Sequence, residues 1–463
     1  MQNNPSPPNK GDRGKRFGSI ALFAALFSFF ALWGITRPPF QSPDEFAHLI
    51  KAQSTATNPW VTPGRKISLA SGLANPLAGD KALHRIPFHP KEHLSAQDVH
   101  RLRSMTWPES DPIRNYEVGK GQAAFQYPPL YYLAVFALGQ SATQALRLEP
   151  YESFFAYRLA SVFLASLAWI WVYRRLTGFQ AYRGRVFAFL VLVPNVAFLS
   201  SSVNPDALLI PLATVVALLF QRALEKSGSW FEAGAGLLLI VFVKPTGILM
   251  VPALAGALGV LFCIEKKQRA NFQQQAFRAL VALGAPAAAF FFGFYLWISL
   301  SIVLDPAPLT MAQYAWSVLE RFPALLMGFW GVFGWADYRL PWVGVALLAL
   351  LLSLNGIAVV RVWSNSPCKA AISFSLSFAG FFALAILGVE VIRLETMGLF
   401  LQGRYFLPAV LGVAVVVAHP YRTCAYCLIG GLAILNAWAL AEALDRYYDG
   451  NIEVFLRAIP FLT

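Results

Sequence analysis

An all-α integral membrane protein of about eleven transmembrane helices is the fold class this sequence predicts. Three observations carry the prediction. Hydrophobic residues make up 57% of the chain and charged residues 13%, with a mean hydropathy of +0.53, a balance foreign to soluble domains. The apolar residues gather into runs long enough to cross a bilayer. The basic residues behind the formal net charge of +13 mostly flank those runs, and no nucleic-acid-binding module is visible.

Taken in order, residues 1–16 form a polar tail ending in Lys10, Arg13, Lys15 and Arg16, a cluster that belongs on the cytoplasmic side. The first span, 17–36, is followed by no small-residue cleavage site and reads as an uncleaved anchor. Further spans are expected at 153–173, 185–203, 206–222, 230–243, 246–264 and 279–303, then at 341–362, 370–389, 405–420 and 424–442. A long outer loop, 37–152, a second outer loop, 304–340, and a short outer tail, 443–463, complete the topology. The run 128–146 is apolar enough to cross, but charge decides against it. With 128–146 outside, Arg174, Arg175, Arg183, Arg185, Arg222, Lys226, Lys266, Lys267, Arg269, Arg361, Lys369 and Arg422 all fall inside. It is therefore expected as a surface helix on the outer leaflet, as is the apolar, helically spaced stretch Met311–Met327. Cys263, Cys368, Cys424 and Cys427 lie in or beside apolar runs on the inner side, where packing is the ordinary reading. The CxxC spacing of the last two lacks a second ligand pair.

This topology collects polar residues at membrane ends on one side. Asp44, Glu45 and His48 lie outside, as do Asn204 and Asp206 in SSVNPDAL, Lys244 in VKPTG, Asp337, Tyr338 and Arg339 in GFWGVFGWADYRLP, and Gln402, Arg404 and Tyr405 in QGRYFLP. Carboxylates beside lipid are costly unless they serve a partner or a reaction. Acids facing a lysine and arginines suit the holding of a phosphate and the abstraction of a proton. Each residue also has an ordinary structural reading: Lys244 snorkelling at a helix end, Asp206 or Asp44-Glu45 capping a helix, Arg404 anchoring at the interface. The irregularly spaced His84, His89, His93 and His100 read as solvated rather than metal-binding.

Seven pieces spread along the chain, PPFQSPDEFAH at 38–48, QYPPLYYL at 126–133, the R-L-x-S opening of a span at 158–161, SSVNPDAL at 201–208, VKPTG at 243–247, FWGVFGWADYRLP at 329–341 and QGRYFLP at 402–408, make a specific resemblance. The chain resembles a family of bacterial polytopic membrane proteins of formerly unknown function that belongs with the GT-C superfamily of polyprenyl-phosphate-sugar glycosyltransferases. The resemblance implies a GT-C-like bundle in the bacterial cytoplasmic membrane, N-terminus inside, active site facing outward. It implies an acid of the first outer loop as catalytic base, Asp44 or else Glu45, and a surface helix after Pro128-Pro129-Leu130. It further implies a second acid, Asp206, and donor-phosphate contacts from Lys244 and Arg404. His48, Tyr127, Arg158, Asn204, Asp337, Arg339, Gln402 and Tyr405 stand in the matching pieces as further site residues. A divalent metal at Asp44/Glu45 or at Asp206 is a possible cofactor, although Asp206 lacks the second acid of a DxD pair.

The expected reaction is glycosyl transfer with inversion from a polyprenyl-phosphate-linked sugar to an acceptor hydroxyl of a glycan, lipid or protein, in cell-envelope glycan assembly. A double displacement would need Asp44 and Glu45 on opposite faces of the sugar. The outer aromatics, Trp60, Trp107, Tyr116, Tyr127, Tyr131, Tyr132, Trp330, Trp335 and Tyr338, serve sugar stacking or interfacial anchoring equally well. Two rival classes stand beside this one. A flippase for polyprenyl-linked sugars calls for charges through the membrane interior and internal repeats, and neither is visible. An O-antigen-ligase-like transferase with a diphosphate-linked donor calls for a catalytic histidine among His84 to His100.

Overall fold

The protein is known here from a computed structural model, which describes residues 10–55, 66–69, 76–86, 89, 91–107, 114–117, 124, 127–224, 228–264, 278–279, 281–284, 310–334, 338–363, 366, 368–397, 401–417 and 422–461. It is a bundle of helices with two short antiparallel ribbons. Among the described residues, six helical stretches are long and apolar enough to cross a membrane: Gly18–Ile35, Pro150–Leu192, Asp206–Leu224, Trp342–Arg361, Lys369–Val391 and Thr423–Tyr448. Shorter apolar helices, Trp230–Val243, Pro245–Leu261 and Gly403–Val417, coincide with the fifth, sixth and tenth expected spans. The seventh, 279–303, lies almost entirely outside the described residues.

Helix α1 (Lys10–Ile35) leads into the first long loop, which carries α2 (Glu45–Thr55), α3 (Lys81–Arg85), α4 (Ala96–Arg103) and α5 (Leu130–Leu146). Reciprocal Ser95 and Asp98 hydrogen bonds cap α4, and Asp80 caps α3 while pairing with Arg101. The loop also holds a ribbon the sequence did not suggest, β1 (Lys66–Leu69) with β2 (Arg114–Glu117), running from Lys66↔Glu117 to Leu69↔Arg114. Strands of four residues are too short for alternation to register in a pattern reading. Helix α5 packs on α6 (Pro150–Arg175), where the Tyr131 hydroxyl meets Ser161 at 2.8 Å. Any side chain at Gly139 would run into Tyr157.

The third expected span is two helices, α7 (Arg183–Leu192) and α8 (Pro194–Ser200), because Pro194 has no amide to continue the ladder and holds Val193 extended. The Leu192 carbonyl instead accepts from Asn436 at 2.7 Å, and Asn436 accepts from the Trp33 indole at 3.2 Å. A polar residue inside the bundle thus joins three elements. Helices α9 (Asp206–Leu224), α10 (Trp230–Val243) and α11 (Met250–Ile264) follow. Helix α9 is the central one, buried along most of its length, whereas Trp342–Arg361 is largely exposed. On that peripheral helix Val343, Leu347, Leu350, Leu354 and Ile357 are exposed in one stripe, the face such a helix turns to lipid. Cys263, Cys424 and Cys427 are exposed in the same outward sense and only Cys368 is buried, so the packing reading fails for three of the four.

The tail folds back on the first long loop. The Arg446 guanidinium donates to the carbonyls of Ile86 and Glu92 at 2.8 Å and of His89 at 3.3 Å. The Tyr447 hydroxyl donates to Gln41 at 3.3 Å. A short helix, Ile452–Ala458, lies against α4, and Arg103 donates to its Arg457 carbonyl at 2.8 Å.

Candidate functional site

The site grows from the segment between α1 and α2. Pro38 and Pro39 stop α1, and Phe40 and Asp44 take left-handed backbone with φ of 65° and 60°. Aspartate accepts that region far more readily than phenylalanine. Phe40 is kept there by edge-on packing against Phe46 and Phe154, with ring centroids 5.3 and 5.0 Å away. The left-handed turn at Asp44 sends the two adjacent acids into different surroundings.

Glu45 goes inward. Its carboxylate is fully buried and takes Arg158 Nε at 3.0 Å and Nη2 at 2.6 Å, with the Val203 amide at 3.1 Å. Arg158 completes its five donors on the carbonyls of Gly34 (2.6 Å), Arg37 (2.8 Å) and Pro38 (3.1 Å). Beside it the buried Arg37 reaches Ser42 Oγ and Ser201 Oγ, both at 2.5 Å, and the Ser201 carbonyl at 3.2 Å. Burial, then the neighbouring Arg158, lower Arg37 to about 10, which keeps it cationic at neutral pH. Two guanidiniums therefore fix the acidic turn to α1, to α6 and to the 201–205 turn. Asn204 adds to this, donating to the Pro43 carbonyl at 3.4 Å and accepting from the Asp206 amide at 2.9 Å.

Asp44 goes outward. Its side chain is 52% exposed and meets Arg404 Nη2 at 3.3 Å. Arg404 is presented by a 3-10 turn, Gly403–Ala409, that lies on the helix Met311–Trp330. A side chain at Gly403 would collide with the Leu325 carbonyl and the Phe329 amide, so the glycine of QGRY permits this approach. Lys244 ends α10 in extended backbone before Pro245, and its ammonium lies 2.6 Å from Asp206 Oδ1, both side chains under a tenth exposed. Tyrosine rings surround these charges: Lys244 Nζ is 5.5 Å from the Tyr127 ring and 5.9 Å from Tyr405, and the Arg404 guanidinium is 5.7 Å from Tyr405. His48 lies below, its Nδ1 2.8 Å from the Tyr132 hydroxyl and its ring 5.9 Å from Tyr127. Burial, then Lys244, push His48 down to about 3, so it is neutral in the working pH range.

Among the residues expected in the site, Asp44, His48, Tyr127, Asp206, Lys244, Arg404 and Tyr405 come together, with Asn204 at the edge. Glu45 and Arg158 form the support beneath, and the Glu45 carboxylate is too enclosed to meet a substrate, which corrects its reading as a second catalytic acid. Arg339 and Gln402 are exposed, Gln402 meeting the cluster through its carbonyl, which accepts from the Tyr405 amide at 3.0 Å, while Asp337 lies outside the described residues. His84 packs edge-on against Phe46, and His93 Nδ1 meets the Arg446 carbonyl at 3.1 Å. The sequence reading missed Arg37, which in Thr-Arg-Pro-Pro after an apolar run looks like an interfacial anchor, and Arg446.

The residues present do not fit a divalent ion. Glu45 accepts from Arg158, Asp206 holds Lys244, Asp44 faces a guanidinium, and among the described residues no three of His, Cys, Asp or Glu converge. What the arrangement offers is cations for an anion beside one accessible carboxylate.

With that geometry in hand, comparison with known proteins gives one finding. The family model described as "Predicted membrane protein (DUF2142)" matches residues 27–413, most of the chain, and the chain belongs to that family. No curated protein matches it.

Proposed function

We propose that this DUF2142 member is an inverting, GT-C-type glycosyltransferase that moves a sugar from a polyprenyl-phosphate-linked donor to an acceptor hydroxyl at the outer face of the cytoplasmic membrane. The observation that carries the reading is the division of labour between adjacent acids. Asp44 alone of the pair is open to solvent, and it stands against Arg404 with Lys244, Tyr127 and Tyr405 nearby. In this reading the acceptor oxygen attacks the anomeric carbon as its proton passes to Asp44. The bond from that carbon to the phosphate oxygen breaks with its electron pair. The leaving lipid monophosphate gains charge, which Arg404 and the Lys244 neighbourhood stabilise in a partly dehydrated site. Glu45, held by Arg158, orients the turn that aims Asp44, and with no second free carboxylate at hand among the described residues the transfer is a single displacement.

The test is product analysis with the purified protein in lipid, a panel of polyprenyl-monophosphate sugars and candidate acceptors, comparing wild type with Asp44→Asn. Release of polyprenyl phosphate by wild type alone is expected. No turnover by either protein, with donor moving between leaflets in both, would replace the transferase reading by transport.

A further inference from the structure

We propose that the Asp44 carboxylate is the resting occupant of an anion seat on Arg404, and that the phosphate of a lipid-linked sugar takes its place, so that capture of the donor and release of the base are one event. The identity of the donor rests on the transferase reading; the seat does not.

Arg404 is only 13% exposed, yet its hydrogen bonding is incomplete. Nη2 reaches Asp44 Oδ2 at 3.3 Å, while Nε and Nη1 are buried and make no hydrogen bond. Arg158, enclosed more fully at 1% exposed, has all five donors filled. Buried donors of a cation without acceptors are costly in an unliganded protein and point to a ligand that fills them. The remaining groups facing Arg404 do not fill them either. Asp206 is committed to Lys244 at 2.6 Å, and the Tyr405 phenol, which acts on the guanidinium by charge and as a hydrogen-bond partner, leaves Nε and Nη1 without an acceptor.

A guanidinium pairs bidentately along two edges, Nε with Nη2 and Nη1 with Nη2. Nη2 is common to both, so an anion on either edge meets the Asp44 carboxylate. That carboxylate is easily displaced: its contact is longer than the roughly 2.7–2.9 Å of a strong charge-assisted bond, and it is half-exposed, where ion pairs contribute little. The phosphodiester of a lipid-linked sugar brings two terminal oxygens, enough for one such edge, and the monoester left after transfer brings three. Once displaced, Asp44 regains both oxygens for an acceptor proton. Donor binding therefore precedes acceptor activation, and the order guards the lipid-linked sugar against a base that is active before the donor is seated.

The experiment measures binding of inorganic phosphate and of farnesyl monophosphate to the full chain in phosphatidylcholine nanodiscs, for wild type, Asp44→Asn, Arg404→Ala and the double variant. Asparagine tolerates the left-handed backbone at 44, and an unchanged unfolding midpoint verifies the fold. Asp44→Asn should bind farnesyl monophosphate about two- to fivefold tighter than wild type, the range of a screened ion pair. Arg404→Ala should bind at least tenfold weaker, and adding Asp44→Asn to it should change nothing. Equal or weaker binding by Asp44→Asn, or tightening that persists without Arg404, overturns the proposal. Inorganic phosphate showing the same tightening assigns the seat to the phosphate group itself. Phosphatidylglycerol in the nanodisc competing as well as farnesyl monophosphate assigns the seat to bulk phospholipid and overturns its assignment to the donor. Tightening without sugar transfer keeps the seat and removes the transferase reading, whereas transfer without tightening does the reverse.

Discussion

Asp44 and Glu45 are neighbours in the chain but belong to two regions built on opposite terms. Around Glu45 everything is closed: the carboxylate has three protein donors, Arg158 has no donor left over, and Arg37 ties the turn to its neighbours. Around Asp44 the accounts are open: half the side chain meets solvent, its contact with Arg404 is long, and Arg404 has buried donors to spare. A closed region cannot accept a ligand without losing a hydrogen bond, and an open one cannot add much to stability. The difference teaches which acid is structural and which is chemical, a distinction that two adjacent carboxylates in a motif conceal. The pair Lys244 and Asp206 lies between these extremes, short and buried like the first and ringed by tyrosines like the second.

The comparison breaks most visibly at the closed end. Glu45→Ala strands a buried guanidinium, so stability should fall by about 3–5 kcal/mol, read as thermal unfolding in detergent. Adding Arg158→Met should recover part of the loss only, because the Gly34, Arg37 and Pro38 carbonyls then lack their donors. A loss under about 1 kcal/mol for Glu45→Ala would place Glu45 in the same class as a surface pair and erase the distinction. Next in size, Lys244→Met leaves Asp206 buried and unpaired and should cost about 3 kcal/mol. Here the double variant with Asp206→Leu should recover most of it, since the pair answers chiefly to itself. If Lys244→Met is as stable as wild type but has lost donor affinity, Lys244 belongs with the open region.

A smaller and pH-dependent effect tests His48, which supports the open region from below. Its pKa is pushed down to about 3 by burial first and by Lys244 next, so between about pH 3 and 6.5 the unfolded chain binds a proton that the folded one refuses. Its contribution is therefore complete above about pH 6.5 and is lost as the pH falls toward 3, at a limiting slope of roughly 1.4 kcal/mol per pH unit. Lys244 and Arg404 disfavour the imidazolium and Asp206 favours it. Unfolding midpoints measured from pH 7 to pH 4.5 should fall more steeply for wild type than for His48→Gln. Parallel curves would mean that the folded protein protonates His48 as readily as the unfolded chain does.

The bundle was largely legible because lipid imposes a simple rule: runs of apolar length with basic flanks. The six long helices fall where such runs lie, and Lys244, Asp206 and Arg404 were noticed because charge at a membrane end is costly. Other features were hidden for identifiable reasons. Glu45 and Asp44 are indistinguishable by residue type, and only the left-handed backbone at 44 separates their surroundings. Arg37 follows an apolar run, where an arginine ordinarily anchors at the interface. Arg446 acts through carbonyls of residues 86–92, and backbone acceptors leave no mark in a sequence. The ribbon at 66–69 and 114–117 pairs segments far apart with too few residues to show a period.

The smallest expected change in stability belongs to Asp44→Asn, and it is the most discriminating. Asparagine keeps the size of the side chain and the left-handed backbone, and the ion pair it removes is half-exposed, so the unfolding midpoint should shift by less than about 1 kcal/mol equivalent. Turnover should nevertheless fall by about 10²–10⁴-fold, the usual worth of a general base. The fall should appear in the maximal rate rather than in donor affinity, because the amide cannot take the acceptor proton although Arg404 can still hold the phosphate. Stability lost in parallel with turnover would make Asp44 a second Glu45. Turnover retained with stability unchanged would leave the open region without a base, and the acceptor proton would then have to pass to a different group among those facing Arg404.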